Sequence, residues 1–282
     1  MNTLTIDGSH IWADLECIWP ELAWESNRVS HGAFHLVACL GSERVVRVST
    51  GHGHRDRSEA EHANAQTVAD ADLPLLVPVP SAPPHHTAEW SATVFSYIPG
   101  EVRETLAGPR TRELLIGVLA ELAKVDVTQL AQGLREVRAW CGGDDWADLV
   151  KECVAVLPSE FQALAHQLVE DVLTLASPPR VTLVHGDLGL HNMLFAGTRP
   201  VGLIDWDNAT VGDPAIDIAP FVRQFPLANL AATFDADLLA RAQCYSKTLS
   251  LQVAAAARLT GDQDLELHAV TNFHHRALEG TL

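Results

Sequence analysis

Apolar positions are distributed along this chain in two ways, and the change from one to the other falls near residue 98. In the first part they form short runs, His35-Leu-Val-Ala-Cys-Leu40, Val45-Val-Arg-Val48 and Thr93-Val-Phe-Ser-Tyr-Ile98, which predicts strands. Gly41-Ser42 supplies a turn between the first two, and Glu59 to Ala71 has helical spacing. Pro74, Pro78, Pro80, Pro83 and Pro84 interrupt the chain after that helix and predict an extended loop. Pro99-Gly100 ends the third strand and divides the chain into lobes at 1–98 and 99–282. In the second lobe Thr111 to Lys124, Trp146 to Val156, Phe161 to Ala176 and Asp235 to Leu259 carry helical apolar spacing. Asn192 to Ala196 and Val201 to Asp205 are strand-like instead, around a turn at Gly197-Thr-Arg-Pro200. Asp213-Pro214 places residues favoured at an N-cap and a first helical position side by side, so a further helix starts there. The fold class is therefore α+β, with a small β-rich first lobe and a larger, mainly helical second lobe.

At 282 residues and 47% apolar composition the chain has ample material for packed cores. A formal charge of −17 argues against a nucleic-acid partner, because a phosphate backbone needs a basic surface. It favours a cationic small molecule. The excess is uneven: Asp144, Asp145, Asp148 and Glu152 form one cluster, and Asp235, Asp237, Asp262, Asp264 and Glu266 another. No apolar run approaches about 18 residues and the first 24 contain no basic residue, so no membrane span or signal peptide is expected and a cytoplasmic location follows. Five cysteines form no CxxC pair and suit reduced thiols. The paired histidines at 52 and 54, 85 and 86, and 274 and 275 lack a matching ligand set and read as loop residues.

The chemistry concentrates at His185-Gly-Asp-Leu-Gly-Leu-His-Asn192 and at Ile204-Asp-Trp-Asp207. If Ala196 pairs with Val201, Asn192 lies opposite Asp205. Directly opposed residues have Cβ atoms roughly 4.5 to 5.5 Å apart, so an amide oxygen and a carboxylate could converge on one hard cation such as Mg²⁺. Asp187 sits on the loop just before. Asp207, two residues beyond Asp205, shares its face if the strand continues.

The His-Gly-Asp loop with its later Asn, the Ile-Asp-Trp segment and Gly212-Asp-Pro-Ala-Ile-Asp217-Ile-Ala219 resemble the aminoglycoside and macrolide phosphotransferase family, small-molecule kinases with a protein-kinase-like two-lobe fold. Within it, Val184-His-Gly-Asp-Leu-Gly189 and the first lobe are most like the viomycin and capreomycin phosphotransferases. The resemblance implies that Asp187 receives the acceptor proton, that Asn192 and Asp205 hold Mg²⁺ with Asp207 assisting, and that ATP or GTP is the phosphate donor. His185 would brace the loop and Asp217 would hold it by hydrogen bonds. Phosphates would be covered by a turn at Gly32, with Ser30 or backbone N–H groups as donors, and the backbone of Ser96, Tyr97 and Ile98 would meet the purine edge. The chain departs from protein kinases in one respect: its three lysines, Lys124, Lys151 and Lys247, all lie in the second lobe. Arg47 is the substitute on the first-lobe strand, since a guanidinium stays charged and binds phosphate bidentately. Glu59 or Glu61 on the following helix would orient it. The expected acceptor is a cationic antibiotic, with cyclic peptides of the viomycin and capreomycin type first, then aminoglycosides, then macrolides. The alternatives are a metabolic kinase acting on choline, homoserine or a sugar, and a non-catalytic nucleotide-binding protein.

Overall fold

The computed structural model describes residues 9–31, 35–103 and 108–282. The first lobe comprises α1 (Ser9–Ile18), β1 (Asn27–His31), β2 (His35–Leu40), β3 (Arg44–Thr50), α2 (His54–Ala69), β4 (His85–His86) and β5 (Trp90–Ser96). Its strands form one antiparallel sheet in the order β1-β2-β3-β5-β4. Alternation of side chains across this sheet decides what each face does. Ala38, Leu40, Val46, Val48, Ala92 and Val94 point one way and are buried against Ile11 and Leu15 of α1. Arg47, between Val46 and Val48, must then point the other way, toward α2.

Helix α2 is unusual in burying polar groups at helical spacing: Ser58, Glu61 and Asn64, with Ala65 and Val68 completing the stripe. Each buried polar side chain has a partner. Ser58 bonds Thr93 of β5 at 3.1 Å, Glu61 forms an ion pair with Arg47 at 2.7 Å, and Asn64 donates to the carbonyls of Trp206 and Asp207 at 3.1 and 3.0 Å. The helix thus ties the first-lobe sheet to the segment after Asp205.

The second lobe contains β6 (Glu101–Val102), α3 (Gly108–Leu122), α4 (Trp146–Cys153), α5 (Ser159–Leu173), β7 (Thr182–Val184), β8 (Met193–Ala196), β9 (Arg199–Leu203), β10 (Thr210–Gly212), α6 (Ala215–Val222), α7 (Leu227–Ala231), α8 (Ala236–Thr260) and α9 (Gln263–Leu278). Strands β6, β8 and β9 make one small sheet, and β7 pairs with β10. Trp146, Val169, Ile218, Leu251 and Phe273 belong to the core shared by the helices. A second core, with Leu115, Leu183, Leu188, Met193, Leu203 and Trp206, backs the β8-β9 hairpin. The proline-rich segment after α2 is indeed extended and pairs locally with β9, through Leu76 N–H to Val201 and Leu203 N–H to Leu76, both at 2.9 Å. No helix among the described residues is long and apolar enough to cross a membrane, and all five cysteines are free.

The hairpin register differs from the expectation. Ala196 pairs with Arg199, not Val201, and Phe195 with Pro200, while beyond a bulge Leu194 pairs with Gly202 and Met193 with Leu203. The turn is therefore shorter than predicted, the bulge takes up one residue, and Asn192 lies in a 3-10 turn (Leu190–Asn192) and not in the strand. The Asn192 carbonyl accepts from Ile204 N–H at 3.0 Å, so Asp205 falls one residue past the pairing and leaves the sheet with φ 67°, a left-handed conformation uncommon outside glycine.

Candidate active site

Strand β7 is buried on all three residues and delivers the chain to His185 at the sheet edge. Here the backbone is clasped from below. The carboxylate of Asp217, in the first turn of α6, accepts the N–H groups of His185 and Gly186, both at 2.8 Å. Burial pushes its pKa up, while His185 and the two N–H donors pull the other way. Gly186 has φ +84°, and a Cβ there would lie 2.4 Å from the Asn208 carbonyl oxygen. Only glycine fits the close approach.

His185 is fully buried, its ring 4.5 Å from that of Trp206. Its Nδ1 accepts Asp187 N–H at 3.3 Å, so its Nε2 is the donor to the Ile204 carbonyl at 3.0 Å. The histidine links the Asp187 loop to the strand leading to Asp205. Asn192 completes the loop by donating from Nδ2 to the Asp187 carbonyl at 2.9 Å and to Asp187 Oδ2 at 3.0 Å. His191, not singled out in the sequence, also reaches Asp187 Oδ2, at 3.3 Å. Burial raises the Asp187 pKa, but the bond and charge of His191 and the Asn192 bond outweigh it and leave it below the ordinary aspartate value.

Arg47 gathers the acidic residues on the nucleotide side. Its Nε meets Glu61 Oε1 at 2.7 Å, its two terminal nitrogens meet Asp207 at 3.1 and 2.8 Å, and one of them also meets Asp205 at 3.2 Å. Glu61 is the partner because it lies on the buried stripe of α2; Glu59 points outward and pairs with His86 at 2.7 Å. His35 was missed as a contributor. Its Nδ1 accepts from Arg47 at 3.0 Å while its Nε2 lies 3.3 Å from Glu61. Alternation along β2 and β3 could have revealed it, since His35 sits on the Arg47 face. Burial pushes the Asp205 pKa up, as does neighbouring Asp207, against the opposing charge of Arg47.

The remaining nucleotide-side candidates are placed unevenly. Gly32 lies outside the described residues, and Ser30 pairs through its backbone with Val37 in the β1-β2 ladder. Ser96 and Tyr97 spend their N–H groups on the carbonyls of Val79 and Glu43, both at 2.9 Å. Ile98 forms no such backbone bond among the described residues, which leaves its N–H as the donor that a purine would meet at this edge.

The donor set suits a hard divalent cation. Asn192 uses only its amide nitrogen within the protein, which leaves its oxygen available, and Asp205 and Asp207 bring two carboxylates against one guanidinium. Asn192, Asp205 and Asp207 are the residues that would hold Mg²⁺.

On the other side of Asp187 a cavity of about 310 Å³ opens between the catalytic loop, α6 and α8. Its lining includes Trp140, Ile216, Tyr245, Leu249 and Val253, and among the described residues the only charged side chains in it are Asp187 and Arg138. None of the residues of the two acidic clusters lines it. Asp235 and Asp262 cap α8 and α9 by accepting Leu238 and Leu265 N–H groups at 2.8 and 3.0 Å, and Glu152 and Glu266 share Arg258 at 3.1 and 2.8 Å.

Comparison with known proteins places the chain in a family. The pattern describing the phosphotransferase enzyme family matches residues 27–270. The chain is 27% identical over 258 residues to viomycin phosphotransferase from Streptomyces vinaceus, covering 84% of this chain and 88% of that one. Among solved structures, the GDP and kanamycin complex of APH(2")-IIia superposes with a TM-score of 0.71 at 15% identity, over 96% of this chain and 99% of that chain. Macrolide 2'-phosphotransferase MphH from Brachybacterium faecium superposes with a TM-score of 0.65 at 22% identity, over 93% and 97%.

Proposed function

The chain belongs to the phosphotransferase enzyme family, and from that premise we propose that it is a Mg²⁺-dependent kinase that moves the γ-phosphate of ATP or GTP onto a hydroxyl of a cationic antibiotic. The acceptor is a cyclic peptide of the viomycin and capreomycin type ahead of an aminoglycoside or a macrolide, a ranking supported by the relative from Streptomyces vinaceus. A cytoplasmic setting, where nucleoside triphosphate is supplied, is part of this reading. The carrying observation is the placement of Asp187 between the Arg47 cluster and the cavity, with its carboxylate held by Asn192 and His191.

Transfer through a loose transition state demands alignment and charge neutralisation more than strong bases. The acceptor hydroxyl oxygen forms a bond to the γ-phosphorus as the bond to the β-γ bridging oxygen breaks. The nucleoside diphosphate departs and the hydroxyl proton passes to Asp187. A carboxylate with a lowered pKa is a weak base, so Asp187 orients the hydroxyl first and takes its proton late. Asn192, Asp205 and Asp207 would hold Mg²⁺, which would supply positive charge against that of the phosphates. Arg47, fixed by Glu61, presents its guanidinium toward the phosphates, and Asp217 keeps the Asp187 loop from drifting. The test is nucleotide-dependent phosphorylation of an antibiotic panel with Asp187→Ala beside the wild type; full activity in the variant would overturn the mechanism.

One observation favours a second reading. A cavity with a single carboxylate does not need a polycation to fill it, which suits a metabolic kinase for choline, homoserine or a sugar. Efficient transfer to one of these, with none to the antibiotics, would establish it instead.

A further inference from the structure

The cavity beside Asp187 has a charge balance unlike the molecule around it. The chain carries −17 overall, yet Asp187 and Arg138 are the only charged groups among the described residues of the lining. Arg138 is held there at some cost. Its φ is 64°, in the left-handed region, which a non-glycine residue keeps only where its surroundings enforce it. Its guanidinium lies 5.6 Å from the centre of the Trp146 ring, and its Nε is buried without a hydrogen-bond partner. No carboxylate among the described residues lies within ion-pair distance of it. A half-buried guanidinium that lines the cavity, with its Nε unpartnered and no carboxylate paired to it among the described residues, is a group that a ligand can satisfy.

The chemistry of that ligand follows from the walls. A guanidinium repels amines at close range and matches carbonyl and carboxylate oxygens with parallel donors. Trp140 and Tyr245 offer flat apolar surfaces suited to planar groups such as amides. We propose that Arg138 determines acceptor specificity: it recognises a carbonyl oxygen on an uncharged segment of the acceptor and keeps amines out of the cavity. Cationic groups of the acceptor then lie outside, and the cavity selects peptides and lactones over polyamino sugars, which carry amines and hydroxyls but no carbonyl. This rests on the phosphotransferase reading of the same site.

The test uses viomycin and erythromycin as carbonyl-bearing acceptors and kanamycin as the carbonyl-free polyamine. Affinity is measured by titration calorimetry with a non-hydrolysable ATP analogue present, and kcat/KM by phosphate transfer. The wild type should bind at least one carbonyl-bearing acceptor about tenfold or more tightly than kanamycin. Arg138→Asn removes the guanidinium while placing at 138 a residue that tolerates the left-handed backbone, so folding is preserved. It should cut the preference over kanamycin about tenfold, mainly through KM, and Arg138→Lys should restore part of it. Preference for kanamycin in the wild type, or an equal loss for all three compounds in Arg138→Asn, would overturn the proposal. The two readings separate cleanly: transfer without discrimination removes the role of Arg138, whereas calorimetric discrimination without transfer retains that role and removes the phosphotransferase reading.

Discussion

Two arginines flank Asp187, and they live in opposite surroundings. Arg47, on the nucleotide side, has ion pairs to three carboxylates within 3.2 Å; Arg138, in the cavity, has none among the described residues. Three carboxylates converge on Arg47, whereas the cavity on the other side of Asp187 holds no carboxylate but that of Asp187 among the described residues. On one side an arginine is a component of a prebuilt electrostatic frame. On the other it is a free donor facing the ligand.

The largest effect should come from the residue between them. Asp187→Ala is expected to lower kcat by about 10²- to 10⁴-fold with nucleotide affinity nearly intact, measured by steady-state kinetics and nucleotide titration; comparable losses in affinity would mean that the two sides are not separable. Next, Arg47→Ala leaves Glu61 buried beside Asp205 and Asp207 without its guanidinium. Breaking a buried pair costs about 3 to 5 kcal/mol, so chemical denaturation should show a loss of that order, and the KM for nucleotide should rise. A stability change in Arg47→Ala as small as that of Arg138→Asn would erase the contrast between the two arginines.

A third variant acts on the floor common to both sides. Gly186→Ala pushes a methyl group against the Asn208 carbonyl and strains a positive φ, for an expected loss of about 1 to 3 kcal/mol in stability together with a lower kcat. The smallest effect concerns His191. Its bond to Asp187 raises its pKa above the ordinary 6.5, with burial opposing, so its stabilising share is complete below 6.5 and fades as pH rises through the raised value. The Asp187 share is present above 3.8 and is lost as pH falls through its lowered value. The side chains are 47% and 65% exposed, so the pair contributes about 0 to 1 kcal/mol. Stability of His191→Gln should therefore trail the wild type between those limits and converge with it in alkali; a gap that widens there would sink the assignment.

Legibility in the sequence followed apolar pattern. Strand β2 was readable to the residue because His35 to Leu40 is a short apolar run ended by the Gly41-Ser42 turn, and α8 because its apolar spacing runs for many turns behind the Asp235 cap. Helices α1, α7 and α9 were not recognised. In α9 only Ala269, Val270, Phe273 and Arg276 are buried, too sparse an apolar stripe to stand out among its charges and histidines. The choice between Glu59 and Glu61 was open because the buried stripe of α2 is polar, and hydrophobic spacing cannot reveal a face built from Ser58, Glu61 and Asn64. Register failed for a tertiary reason: the bulge in the hairpin accompanies pairing of β9 with Leu76, a contact distant in sequence. The convergence of Asp187, Asn192 and Asp205 was anticipated, but by a strand alignment that the chain does not use. Arg138 and His35 carried no motif at all.

The same bulge makes the hairpin tip dispensable as a ruler. Pairing beyond it fixes Leu203 against Met193 independently of the pairing at Ala196 and Arg199, and a side chain at Gly197 would meet no atom within 4 Å. Foreign peptide spliced after Gly197 should lengthen the tip without rotating Asp205 out of place. That makes residue 197 an address for a tag or fluorophore that reports on the enzyme while leaving its catalytic spacing alone.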